Sequence, residues 1–120
     1  MKNKTLVIGA SENPGRYSNM AIKKLLGHGE IVLAIGKTSG NVDGIEIMTG
    51  NVATDDVDTV TLYINPMHQK PYYDYILSLN PRRIIFNPGT ENDELQRLAR
   101  NAGIKAQEAC TLVLLSTGQY

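Results

Sequence analysis

The stretch TLVIGASENPGRYS, Thr5 to Ser18, decides how this chain is read. Its first half is an apolar, β-branched run of the kind that packs on a pleated surface, and it predicts a strand. The run breaks at Gly9 into a polar loop carrying Asn13-Pro14-Gly15, and an amphipathic segment follows. Strand, tight loop and helix in that order let backbone N–H groups surround an anion. Gly9 has no Cβ to hold a ligand away, and the first turn of the helix brings unsatisfied donors and the positive end of its dipole. A nucleotide-like ligand is the expectation this stretch sets.

Outward from it, Ala21, Ile22, Leu25 and Leu26 recur at helical spacing with Lys23 and Lys24 between them, and Gly27 and Gly29 supply a stop. Glu30 to Ile35 is nearly all apolar, as a strand covered on both faces requires. The polar, Gly-rich piece Gly36 to Gly44 follows, and Ile45-Glu46-Ile47 adds at most a short extended segment. Val57 to Ile64 reads as the third main strand, ending at Asn65-Pro66. From Met67, the residues Tyr72, Tyr73, Ile76, Leu77 and Leu79 predict a helix that tolerates Pro71 near its first turn and stops at Asn80-Pro81. Arg83 to Phe86 is a fourth strand, Asn87 to Thr90 a loop, and Asn92 to Ala102 a helix ended by Gly103. Ile104 to Ala109 is the last strand, while Thr111 to Leu115 fits a short helix and a strand equally.

Strands separated by helices imply right-handed crossovers, so the expected fold is α/β and Rossmann-like: a doubly wound, mostly parallel sheet of about five strands with helices on both faces. In such sheets ligands sit beyond the carboxyl ends of the strands, where the winding reverses. The loops at Gly9, Ile35-Gly36-Lys37, Asn65-Pro66 and Asn87-Pro88-Gly89 all leave at that edge, so four loops are expected to converge on one cleft.

With 120 residues and 42% hydrophobic content, residues 1–120 are expected to form one domain. Lys+Arg 12 against Asp+Glu 12 leaves no net field to gather nucleic acid or an anionic membrane, so any anion must be held locally. The N-terminal apolar run is too short for a signal peptide, no segment reaches the length of a membrane span, and the lone cysteine excludes an internal disulfide. A soluble cytoplasmic protein is the expectation.

The first loop does not follow G-x-G-x-x-G, and the second strand ends in Ile35-Gly36-Lys37 where an NAD binder usually carries an acidic residue for the ribose hydroxyls. A lysine there favours a phosphate. A ligand with a pyrophosphate and a further phosphate on its adenosine ribose would use Ser11, Arg16 and Lys37 together through charge-assisted hydrogen bonds. Coenzyme A (CoA) and NADP both satisfy that description.

The motif Gly9-Ala10-Ser11-x-x-Pro14-x-Arg16-x-Ser18 resembles the opening of the small bacterial CoA-binding proteins, which are similar to the amino-terminal domain of the succinyl-CoA synthetase α subunit. The resemblance spans essentially the whole chain, including the closing Glu108-Ala109-Cys110-Thr111-Leu112-Val113. It implies binding of CoA or acyl-CoA by a non-catalytic or accessory domain. Gly9, Ala10, Ser11, Arg16 and Ser18 would surround the pyrophosphate, Lys37 would stand near the adenosine ribose and its phosphate, and Asn65, Pro66, Asn87, Pro88 and Gly89 would border the pantetheine arm. Two places depart from the family pattern: Ile35-Gly36 stands where Asn-Pro is more usual, and Asn87-Pro88-Gly89 replaces a Gln-x-Gly type of loop. The phosphorylated histidine of the synthetase belongs to a second domain, so the resemblance implies none of that catalysis for residues 1–120.

Plainer readings stand beside these. Gly9 and Gly15 also suit an ordinary turn, and either Arg16 or Lys37 alone would be a solvated surface charge, so their convergence is the argument. His28 falls where a helix stops and complements the carbonyl end of its dipole, whereas His68, after Asn65-Pro66-Met67 at the ligand edge of the sheet, reads first as a helix-start surface residue and second as a ligand contact. Tyr72, Tyr73 and Tyr75 read as packing residues, and Asp55, Asp56 and Asp58 as a solvated turn without metal-ligand spacing. Cys110 reads as a buried thiol, with reactivity toward the CoA thiol or a thioester if a helix begins at Thr111. No catalytic constellation and no metal site is recognised. Two alternatives remain open: a minimal NADP-dependent reductase, and a protein-interaction module that has lost nucleotide binding.

Overall fold

The computed structural model describes residues 4–120; residues 1–3, Lys2 among them, lie outside the described residues. The first strand, β1 (Lys4–Ala10), leads through the polar loop into α1 (Tyr17–Gly27) and on to β2 (Ile31–Gly36). Next comes a hairpin of β3 (Gly40–Val42) and β4 (Ile45–Met48), then β5 (Val57–Leu62). Two single turns of 3-10 helix, Pro66–His68 and Lys70–Tyr72, precede α2 (Tyr73–Leu79). The chain closes with β6 (Arg83–Phe86), α3 (Asp93–Asn101), β7 (Lys105–Glu108) and α4 (Thr111–Ser116).

The strands form one seven-stranded sheet in the order β3-β4-β2-β1-β5-β6-β7, rather than the sheet of five expected from the sequence. Every pairing is parallel except that of β3 with β4. The difference lies in the Gly-rich piece after β2. Asp43 and Gly44 have φ of 49° and 88°, the positive values of a two-residue hairpin turn of type I′, and they fold Gly40–Val42 back onto Ile45–Met48. Other boundaries also shift. The third main strand stops at Leu62 rather than Ile64, and the predicted helix from Met67 is two 3-10 turns before its α-helical part. Thr111–Ser116 is helical.

Alternation along the central strands sorts side chains to two faces. Leu6 and Ile8 of β1 join Val60, Leu62, Ile84 and Phe86 under Tyr73 and Ile76 of α2 and Leu95 and Ala99 of α3. Val7 joins Val32 and Ala34 under Ile22 and Leu25 of α1 and Leu115 of α4. Helices therefore cover both faces. The chain moves one way from β1 to β2 and the other way from β5 to β7, so the winding reverses at β1. No helix among the described residues is long and apolar enough to cross a membrane.

Part of the α4 face is polar. The Asn87 side chain donates to Thr61 Oγ1 (2.6 Å) and to the Leu62 carbonyl (2.9 Å), and it accepts from the Thr111 amide (2.8 Å). That one amide fixes where α4 begins. Deeper, the buried Arg83 guanidinium donates to Thr59 Oγ1 and lies 4.4 Å from the centre of the Tyr120 ring. Burial lowers its pKa from the usual arginine value.

Candidate functional site

The loop after β1 is built by its own short polar side chains. Ser11 Oγ accepts from the Asn13 amide (3.1 Å), Asn13 Oδ1 accepts from the Gly15 amide (2.9 Å), and the Arg16 amide closes the turn onto the Asn13 carbonyl (3.0 Å). From α1, buried Asn19 donates to the Ser11 carbonyl (3.0 Å). Gly9, at φ 98°, is where β1 presses on the exit of β5: a Cβ there would lie 2.8 Å from the Tyr63 carbonyl carbon. Gly36, the last residue of β2, makes the same close approach to β1, since a Cβ there would lie 2.5 Å from the Ala10 carbonyl oxygen. These contacts bring the ends of three strands to one edge.

At that edge lies a cleft of about 830 Å³, within the range of small-molecule sites. Gly9, Ala10, Ser11, Arg16, Ser18, Lys37, Asn65, Pro88 and Gly89 line it. Three sequence candidates do not. Pro14 lies on the exposed outside of the first loop, Pro66 opens the first 3-10 turn, and the Asn87 side chain is buried against α4. Asn65 Oδ1 caps the first 3-10 turn by accepting from the Met67 amide (2.8 Å).

The lining also contains residues that the sequence reading did not single out as ligand contacts. Thr38 extends the Lys37 loop, Gly50 and Asn51 arrive from the exit of β4, and Tyr63 and Ile64 form floor because β5 ends before them. Pro71, Tyr72 and Thr90 complete the side nearer β6. The signal for Gly50-Asn51 was the Asp43-Gly44 turn, which puts the end of β4 beside that of β2. His68 is an exposed residue of the first 3-10 turn that also lines the cleft, whereas Tyr72 serves both core and cleft.

Gln69 holds the β6 side of the cleft together. Fully buried, it donates to the Ile64 and Thr90 carbonyls (3.0 and 2.7 Å) and accepts from Asn92, which also donates to the Tyr73 hydroxyl (2.8 Å).

The electrostatics are one-sided. Arg16 and Lys37 are both exposed, and among the described residues neither is in an ion pair. Among the described residues no Asp or Glu lines the cleft. The N-terminus of α1 has no side-chain cap and no acidic residue in its first turn. Burial pushes the Tyr63 hydroxyl up to about 12, so it stays neutral at physiological pH. Two cations and an uncapped helix end therefore line one space with no carboxylate in its lining, an arrangement suited to phosphates.

The remaining candidates lie elsewhere. His28 sits at the C-cap of α1 with Nδ1 2.9 Å from the Lys24 carbonyl. Asp55 pairs with Lys4 and Asp58 with Arg82. Tyr73 packs in the core, and the Tyr75 hydroxyl donates to the Val52 carbonyl (2.6 Å). Cys110 is the half-buried N-cap of α4 and is not part of the cleft lining.

A family model described as a CoA binding domain matches residues 3–116. Among solved structures, an uncharacterized protein of known crystal structure is similar at 45% identity over 100% of this chain and 99% of its own, with a TM-score of 0.96. A conserved hypothetical protein from Pyrococcus furiosus is similar at 26% identity, covering 92% of this chain and 97% of its own, with a TM-score of 0.80. A Thermus thermophilus protein at 18% identity shares the fold, with a TM-score of 0.85 over 99% of this chain and 91% of its own. No curated protein matches the chain.

Proposed function

The chain belongs to the CoA binding domain family, and from that premise we propose that it is an accessory, non-catalytic module that holds CoA or an acyl-CoA in the cleft above β1. One observation carries the proposal: Arg16, Lys37 and the uncapped start of α1 line a cleft without a carboxylate, in a chain of zero net charge. The pyrophosphate lies against Ser11, the free amides at the start of α1 and the Arg16 guanidinium. Lys37 takes the phosphate on the adenosine ribose. The pantetheine arm crosses the Tyr63-Ile64 floor toward Asn65, Pro88 and Gly89, whose loop Asn87 anchors from beneath.

NADP offers the same two kinds of phosphate, so thermal unfolding with CoA, acetyl-CoA, NADP or NAD separates the readings. Saturation with CoA at about 100 times its dissociation constant adds about 2.7 kcal/mol. That raises the midpoint by roughly 10 °C in a protein of this size. The expected order is CoA and acetyl-CoA well above NADP, with NAD inert. Stabilisation by NADP alone would favour a reductase, and no shift with any nucleotide would favour an interaction module.

A further inference from the structure

The geometry points to Glu12 as the positioning residue that fixes the spacing between the Arg16 loop and the Lys37 loop, and through it the preference for a ligand with two separated phosphate groups. The role rests on reading Lys37 as the ribose-phosphate residue. Glu12 stands four positions before Arg16, and its Oε2 accepts from the Asn41 amide at 2.8 Å, four positions after Lys37. The two cation-bearing loops are thereby joined by a charge-assisted hydrogen bond.

A second feature leaves room for that bond. Gly40, the first residue of β3, lies directly under the Glu12 side chain: a Cβ there would lie 2.5 Å from Glu12 Cγ and 2.8 Å from Oε2. Gly40 does not have a positive φ, so what a Cβ there would disturb is the Glu12 side chain and not the backbone. The near end of the clasp is rigid, because Asn19 holds the Ser11 carbonyl and Asn13 closes the turn. The far end is the hairpin, whose pairing with β2 through β4 sets the path of Lys37 and Thr38. Directed to the Asn41 amide, the Glu12 carboxylate stays out of the cleft lining, where it would repel phosphate.

Calorimetric affinities for CoA and for dephospho-CoA, which lacks the ribose phosphate, test the role in the full chain. In Glu12→Ala the CoA affinity falls about three- to ten-fold while that for dephospho-CoA changes less than about two-fold. Glu12→Gln keeps an acceptor and stays near the original ratio. Gly40→Ala reproduces the loss by displacing Glu12, and adds nothing when Glu12 is already Ala. Thermal midpoints stay close to the parent in all variants because Glu12 is exposed, and amide exchange at Asn41 accelerates in Glu12→Ala but not in Glu12→Gln. An unchanged CoA to dephospho-CoA ratio in Glu12→Ala, or additive losses from the two alanines, would overturn the role while leaving CoA binding intact. A parent chain that binds neither ligand would overturn the reading of the cleft, and this role with it.

Discussion

In the proposed binding mode Lys37 and Arg16 hold different phosphates, and a single phosphate tells them apart. Replacing Lys37 by Ala removes the cation assigned to the ribose phosphate, so CoA affinity should fall about ten-fold or more. Dephospho-CoA should be held almost as before, and competition calorimetry reads both. Equal losses for the two ligands would move Lys37 away from that phosphate. At this scale the sequence was informative where backbone approach was at stake. Gly9 and the polar side chains of Ser11 and Asn13 announce a tight anion-sized loop, and the structure shows Gly9 at φ 98° against Tyr63. It was silent where the direction of a side chain decides the role. Asn87 looked like a cleft residue, but its amide faces Thr61 and Thr111, since a strand end offers two faces and the residue type does not choose between them.

Helix α3 shows how one cap serves the cleft. Asn92 Oδ1 accepts from the Glu94 and Leu95 amides while its Nδ2 ties Gln69 and Tyr73, so the cap also braces the wall made by Thr90 and Ile64. Asn92→Ala should therefore cost about 2 kcal/mol, the sum of a lost cap and a buried Gln69 acceptor left without its partner. Circular dichroism should find the melting midpoint lowered by roughly 8 °C. An unchanged midpoint would show that the network carries no stability. Elements with strong periodicity, such as β2 and α3, were legible from their apolar spacing. Those needing tertiary context were not. The six residues of α4 are too short for periodicity to declare a helix, and the Asn87 bond to the Thr111 amide supplies what the pattern lacks. The β3-β4 hairpin had a local signal in Asp43-Gly44, but its strands of three and four residues carry too few apolar positions to alternate visibly.

Across the whole molecule, the reversal of winding at β1 and the segregation of charge act together. The reversal opens the cleft beside the uncapped helix α1, and the balanced composition leaves Arg16 and Lys37 as a local positive site instead of a general basic surface. Extra strands β3 and β4 lengthen the sheet on the Lys37 side, adding Gly50 and Asn51 to that end of the lining. Two-dimensional amide NMR of isotope-labelled protein titrated with CoA tests this account most directly. The account predicts the largest shifts at Gly9 to Ser11, Arg16 to Ser18 and Lys37, with smaller ones at Asn65 and Gly89. Shifts confined to the β7 edge or to α4, or a spectrum that CoA leaves unchanged, would contradict it.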